Sequence, residues 1–454
     1  MSRRDVWQEL YQRFDPELPA ERHRRADRPH SPAKRINDFL DMPFGDPRLL
    51  LMGTVGTGKT TELLRVAEAR KDKELVVFLD LARHFSEVVK DPAALERISS
   101  WEVCFLAGVA LISTFKQRLG LEFPAPYIKD LEASWGALAA ATETPSAQLD
   151  LGVLAKTMSG VMAATIPALV EGATGTGVAT GFAVTGAATG AITRWLIPLG
   201  RSKQFLPDQD LHVQTLLASV NMLVGHVQSE YKRVLFVIDG LDRIRDIDRA
   251  KKLFVDSQII SGLACPVVVC APFALRHHPS VGAIRGFDTL TLVNEPVLLH
   301  GNPTQHGPGV RFFCDLYERR LENPELDARD LIAHPLLEEL AYRSGGRARD
   351  FVRFIRELAR EAWLADVPSA TEALVKKVLD NQRRLRETGL NEGHIQILEA
   401  IANSAEHRLP ENELALELLT YQALLPYPNE SEWYYPHPLL TMHLVRAMPP
   451  GSTP

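Results

Sequence analysis

Unbroken apolar runs punctuate the N-terminal two thirds of the chain. PRLLLMG (47–53), ELVVFLDLA (74–82), RVLFVIDGLDRI (233–244), PVVVCAPFAL (266–275) and TLTLVNEPVLL (289–299) carry Val, Ile and Leu without polar alternation. Strands buried on both faces of a parallel sheet read this way. Between them, DLHVQTLLASVNMLVGHVQ (210–228) shows a helical pattern, as does much of the stretch up to residue 150. From residue 308 the pattern turns helical throughout: GVRFFCDLYERRLE, DLIAHPLLEELAYRS and ARDFVRFIRELAREAWLA repeat apolar positions at i, i+3 and i+4. A basic helix (371–387), two further helices (391–405 and 411–420) and the strand pair ALLPYP and EWYYPHP around NES follow. Helices ending in a hairpin predict a winged helix.

These patterns divide the chain into six segments: an N-terminal helix and connector (1–26), the first part of an α/β core (27–150), an uncharged Gly/Ala-rich insert (151–205), the second part of the core (206–300), a helical lid (301–369) and a winged-helix-like domain (370–454). A chain of 454 residues, 45% hydrophobic and 24% charged, is long enough for several globular domains. The net charge of -6 gives no overall pull toward nucleic acid. Cys104, Cys265, Cys270 and Cys314 form no CxxC pair, so neither a disulfide framework nor a zinc ribbon is indicated. The opening stretch MSRRDVWQELYQRFD has no apolar signal core, so a cytoplasmic location is expected.

The chemistry centres on GTVGTGKT, which fits GxxxxGK[ST] in full. Gly53, Thr54, Val55, Gly56, Thr57 and Gly58 form a loop whose backbone N–H groups can curl round phosphates. Lys59 can reach the β and γ phosphates, Thr60 can offer its hydroxyl to Mg²⁺, and Thr61 continues the helix whose positive end faces the same anion. ATP with Mg²⁺ is the expected ligand. Asp239 closes the run VLFVI and is the expected second metal acid. Asp242, three residues on, is the candidate to orient water; on spacing alone it equally fits the N-cap of the helix that follows. The histidines of RHH (276–278) read as loop residues, because neighbours in sequence point apart and no third ligand is placed by spacing.

In this combination the chain resembles the AAA+ and STAND branch of P-loop ATPases. VIDGLDRI is similar to the hhhhDxLD[ER] box of STAND and KAP ATPases, and SGGRARDFVRFIRE (344–357) resembles the sensor-2 helix start of origin-recognition ATPases. The resemblance places Arg349 on the γ-phosphate, Arg285 of VGAIRGFD as an arginine finger acting across subunits, and Arg28 and Pro29 of ADRPHSPAKRINDFL beside the adenine. It implies an α/β P-loop sheet, ATPase activity and homo-oligomers, and a switch in bacterial defence or signalling. Read from the residues alone, Arg349 also fits a surface pair with Asp350 or Glu357, and Arg285 an ordinary loop cation. The chain departs from the AAA+ pattern at Gly240, where a Glu is usual, and at Cys270, Ala271 and Pro272, where Asn, Ser or Thr is usual.

GATGTGVATGFAVTGAATGAIT runs from Gly172 to Thr193 without a charge. As a helix it would span about 33 Å, against a hydrocarbon core of about 30 Å. The pairs Gly177/Gly181 and Gly186/Gly190 give GxxxG spacing, and Trp195, Arg201 and Lys203 follow at one edge. KAP ATPases carry membrane segments at this point, so the resemblance implies a membrane-associated or self-assembling insert (157–198) at the inner face of the cell membrane. A linker, a buried helical pair and a soluble oligomer core are the competing readings. In the winged helix, the last helix carries Glu411, Glu413 and Glu417 and no cation. That charge disfavours DNA and favours a protein partner. A DNA-binding AAA+ ATPase of origin-recognition or transposition type is the alternative function.

Overall fold

The computed structural model describes residues 3–141, 211–321, 330–428 and 432–447. The insert 157–198 lies outside them. Among the described residues no helix is long and apolar enough to cross a membrane. Two compact units emerge from the contacts: a sheet unit of Pro32–Gly53 and Glu62–Thr291, and a helical unit of Met1–Ser31, Thr54–Thr61 and Leu292–Pro454.

The sheet unit holds five parallel strands: β1 (Arg48–Gly53), β2 (Leu75–Asp80), β3 (Val234–Asp239), β4 (Val267–Pro272) and β5 (Asp288–Thr291). Their order is β2-β3-β4-β1-β5, so β4 separates the acid-tipped β3 from β1. Leu50 pairs with Val269 and Phe78 with Val237, and β3 and β4 are buried along their whole length. This is why their sequences do not alternate. Helices Ser100–Leu119, Ala125–Ala141 and Leu211–Glu230 pack together. A Cβ on Gly108 would lie 2.9 Å from Val220, so glycine sets how closely two of these helices approach. The hydroxyls of Ser134 and Ser219 meet at 2.7 Å between the other pair.

Ser99 and Glu102 form a capping box at the start of Ser100–Leu119. Glu102 Oε2 accepts from the Ser99 N–H at 2.7 Å, but the side chain is fully buried. Burial pushes its carboxyl up to about 8. The folded state therefore holds a proton that the unfolded chain, with an ordinary Glu, has lost. Stability should fall as pH rises from the unfolded value toward 8. Glu102→Gln keeps an acceptor for Ser99 and removes the proton. Across that window the wild type's melting temperature should drop by about 5 °C relative to the variant's; parallel slopes in thermal melts would place the linkage elsewhere.

In the helical unit, Arg3–Arg13 packs on Ala348–Ala365. Trp7 is fully buried and its Nε1 donates to the Val367 carbonyl at 2.9 Å. Arg13 and Arg320 each donate to the other's carbonyl, at 3.2 and 3.0 Å, and Arg320 covers the Phe14 ring. The N-terminal helix is thus part of this unit's core.

The run 289–299 does not form one strand. The chain leaves the sheet after Thr291, and Leu298–Leu299 (β6) pairs with Asn302–His306 (β7) in a separate ribbon. Between them the Glu295 N–H donates to the Gly346 carbonyl at 3.0 Å, and Pro296 has no N–H to give a ladder. The C-terminal helices Glu372–Glu387, Glu392–Ala402 and Glu413–Thr420 precede an antiparallel hairpin, β8 (Leu424–Tyr427) with β9 (Trp433–Pro436). Tyr427 and Trp433 stack across it at 4.9 Å. This is the winged-helix arrangement.

All four cysteines are free and buried. Burial raises Cys104 to about 12 and Cys314 to about 11, and raises Cys265 further still.

Candidate phosphate site and acid pair

GTVGTGKT begins on the last residue of β1 and ends in helix Lys59–Arg70. Gly56 and Gly58 sit at φ 93° and 101°, the left-handed region that side chains resist. The loop is braced from inside: Thr57 Oγ1 and Lys59 Nζ both donate to the Thr54 carbonyl, at 2.9 and 2.8 Å.

The helical unit braces it further. Arg28 Nη2 donates to the Thr57 carbonyl at 2.6 Å, while its Nε lies 2.7 Å from Glu295 and its guanidinium 5.3 Å from the Phe312 ring. Arg28 is 7% exposed, and its Nη1 has no hydrogen-bond partner among the described residues. Pro29 beside it is exposed. The Thr54 hydroxyl meets Asn294 Oδ1 at 3.2 Å, and Asn294 Nδ2 donates to the Pro426 carbonyl in β8 at 3.1 Å.

Two arginines of the GGRARD turn reach the loop differently. The Arg349 N–H donates to the Gly56 carbonyl at 3.0 Å, and its half-buried side chain makes no ion pair among the described residues. Asp350 is instead taken by Arg347 and Arg386. Arg347, which sequence reasoning passed over, is buried and donates through Nη2 to the Val55 carbonyl at 2.7 Å. A Cβ on Gly56 would come within 3.0 Å of that same nitrogen. Burial lowers Arg347 to about 10 against the pull of Asp350.

The acids belong to the sheet unit. Asp239 ends β3, is 4% exposed, and accepts from the Gly240 N–H at 2.8 Å. Asp80, a second residue not singled out from sequence, ends β2 directly opposite it in register. Burial and then the Asp239 charge push the Asp80 carboxyl up to about 6. One Asp80 oxygen accepts from the Arg83 N–H at 2.9 Å. Gly240 sits at φ 96°, and a Cβ there would lie 2.6 Å from the Ala82 nitrogen. That contact explains why no Glu follows Asp239.

Asp242 is half-buried in the short turn Leu241–Arg243. It does not cap the next helix: Asp246 does, accepting from Asp248 and Arg249 N–H groups at 2.9 and 3.4 Å. Arg285 is exposed just before β5 and makes no ion pair among the described residues. His278 caps the turn Pro279–Ala283, and His277 is lowered to about 4 by burial and then Arg276. No metal-holding cluster of His, Cys, Asp and Glu is found among the described residues.

The residues fit ATP and Mg²⁺. Two positive-φ glycines, a lysine and an arginine nitrogen without a partner suit a polyphosphate. Asp239 and Asp80 are hard oxygen donors whose mutual repulsion a divalent cation would relieve.

No protein-family model matches the chain, and no curated protein matches its sequence. Solved structures similar to it include two DNA-bound proteins. One is Drosophila ORC bound to DNA, at a TM-score of 0.38 and 12% identity, covering 87% of this chain and 72% of that one. The other is the Aeropyrum pernix ORC1 protein in complex with DNA, at a TM-score of 0.38 and 14% identity, covering 95% of this chain and 96% of that one. Likeness at this level says nothing of ligand or activity. The fold class rests on the molecule itself: an α/β protein whose parallel strand β1 runs through GxxxxGK[ST] into a helix, with a helical region and a C-terminal winged helix.

Proposed function

We propose that the chain binds ATP with Mg²⁺ at GTVGTGKT, hydrolyses it, and works as a nucleotide-dependent conformational and assembly switch. The observation that carries this reading is the bracing of the phosphate loop. Thr54, Val55, Gly56 and Thr57 are bonded to Asn294, Arg347, Arg349 and Arg28, all from the helical unit. A phosphate that reorders the loop must disturb these contacts, and so carries its signal into the helices.

In mechanism, the loop N–H groups and Lys59 bind and orient the phosphates. Thr60 and Asp239 would hold Mg²⁺, which supplies charge neutralisation to the transferring phosphoryl group. Asp242 would orient water, Arg349 would act within its own subunit, and Arg285 would act on the site of a neighbouring copy. The insert 157–198 enters this reading on sequence alone, as the assembly or membrane element.

The alternative is a DNA-binding ATPase that uses the winged helix. Three of the five cations on the basic helix are already engaged: Lys377 with Glu361 at 2.5 Å, Arg383 with Glu387 at 2.7 Å and Arg386 with Asp350 at 2.8 Å. This supports a protein-contacting winged helix over a phosphate-contacting one.

Mixing tests the switch. Arg285→Ala and Lys59→Ala proteins are each expected to lack turnover. Combined in equal amounts, they should recover about a quarter of wild-type activity if sites are shared between copies, since about one interface in four then pairs an intact Lys59 with an intact Arg285. No recovery at any ratio, with both proteins folded and co-eluting on a sizing column, would rule out a shared site.

A further inference from the structure

Arg347 joins the phosphate loop to the winged helix through one nitrogen. Its Nη2 donates to the Val55 carbonyl at 2.7 Å and also to Gln422 Oε1, while Nη1 is held by Asp350. Gln422 lies in the turn just before β8, at φ 64°. A side chain rarely rests in that region unless its surroundings hold it there. Here two arginines do so. Arg347 takes the Gln422 side chain, and Arg386 Nη1 donates to the Gln422 carbonyl at 3.0 Å.

The charges around this turn do not balance. Asp350 Oδ2 is shared by Arg347, by Arg386 at 2.8 Å and by His437 Nε2 at 3.3 Å. Arg347 is 2% exposed, and the Arg386 side chain is 15% exposed. Burial and then Arg386 lower His437 to about 3, so it adds no charge. Burial alone would raise Asp350, but Arg347 and Arg386 hold it well below the usual range. Two guanidiniums thus face one carboxylate, with Arg353 a further 3.7 Å from its other oxygen. Among the described residues Arg347 Nε and Arg386 Nε have no hydrogen-bond partner. The Arg347 nitrogen that touches the phosphate loop is bonded, among the described residues, to two neutral oxygens, Val55 O and Gln422 Oε1. A phosphate oxygen is a charged acceptor and outcompetes both.

We propose that Arg347 senses phosphate in the loop, and that Gln422 is the latch through which it holds the winged helix. Phosphate draws Arg347 away from Gln422; the turn then leaves its left-handed conformation, and the hairpin that starts two residues later loosens. This rests on the reading that the loop binds ATP.

Hydrogen exchange on the full chain tests it, with ATP binding measured on the same samples by calorimetry. In the wild type, saturating ATP with Mg²⁺ should raise exchange across 421–427 about fivefold. Gln422→Ala should show the raised exchange without nucleotide, respond no further to ATP, and bind ATP about threefold more tightly, since no latch opposes the competent state. Gln422→Gly, which accepts the positive φ unlatched, should bind ATP about as tightly as the alanine variant and show the same exchange across 421–427 with and without ATP, and it guards against a misfolded alanine variant. If ATP binds but 421–427 exchange at the same rate with and without it, the latch is wrong and the ATP site stands. If ATP does not bind at all, both readings fall.

Discussion

Lys59→Ala leaves the protein folded and unable to hold ATP. Lys59 Nζ donates to the Thr54 carbonyl, but the Thr57 hydroxyl donates to the same oxygen at 2.9 Å, so that carbonyl keeps a partner in the variant. The lost ammonium is the charge that the GxxxxGK[ST] motif brings to the β and γ phosphates. Charge-assisted bonds to phosphate are about twice as strong as neutral ones, and affinity should fall by about 100-fold or more. Calorimetry gives the affinity, and a melt without nucleotide checks the fold. Wild-type affinity in a folded Lys59→Ala protein would remove GTVGTGKT from the nucleotide site.

Asp239→Asn is expected to cost the most in turnover. The side chain is 4% exposed, ends β3, and faces Asp80 across the register. An amide in its place cannot supply the anionic oxygen that Mg²⁺ prefers. Hydrolysis should drop by about 100-fold or more, while ATP measured without Mg²⁺ binds as before. Asp80→Asn is the informative companion, because an Asn can still accept from the Arg83 N–H and preserve the local turn. Asp242→Asn should lose hydrolysis with ATP still bound. Wild-type turnover in Asp239→Asn would break the assignment of the metal acid. Wild-type turnover in Asp242→Asn alone would remove the water-orienting role from Asp242.

The elements that sequence foretold are those with a local signature. Continuous Val/Ile/Leu runs marked β1 to β4. The winged-helix hairpin was legible from ALLPYP and EWYYPHP because Tyr and Trp favour strands. What stayed hidden depends on pairing between distant segments. Asp80 carries an acid at a strand end like many others; only the register of β2 on β3 sets it opposite Asp239. Arg347 and Arg349 stand two apart in one short turn, and sequence cannot say which side chain faces the loop. The helix begins at Ala348, which leaves Arg347 in extended backbone with its guanidinium on Val55. The truncated β5 is a similar case, since TLTLVNEPVLL gives no sign that Glu295 will spend its N–H on Gly346.

The burial of every cysteine has a practical consequence. A maleimide reacts with an exposed thiolate; Cys104, Cys265, Cys270 and Cys314 are all buried, and three of them are held well above ordinary thiol ionisation. The natural chain is therefore nearly silent to thiol-directed dyes. One cysteine placed at exposed Tyr421 and another at exposed Phe44 would take a donor and an acceptor without stripping the native sulfurs from the core. Fluorescence transfer between them, with and without nucleotide, would then test the proposed switch in single molecules in an otherwise unaltered sequence.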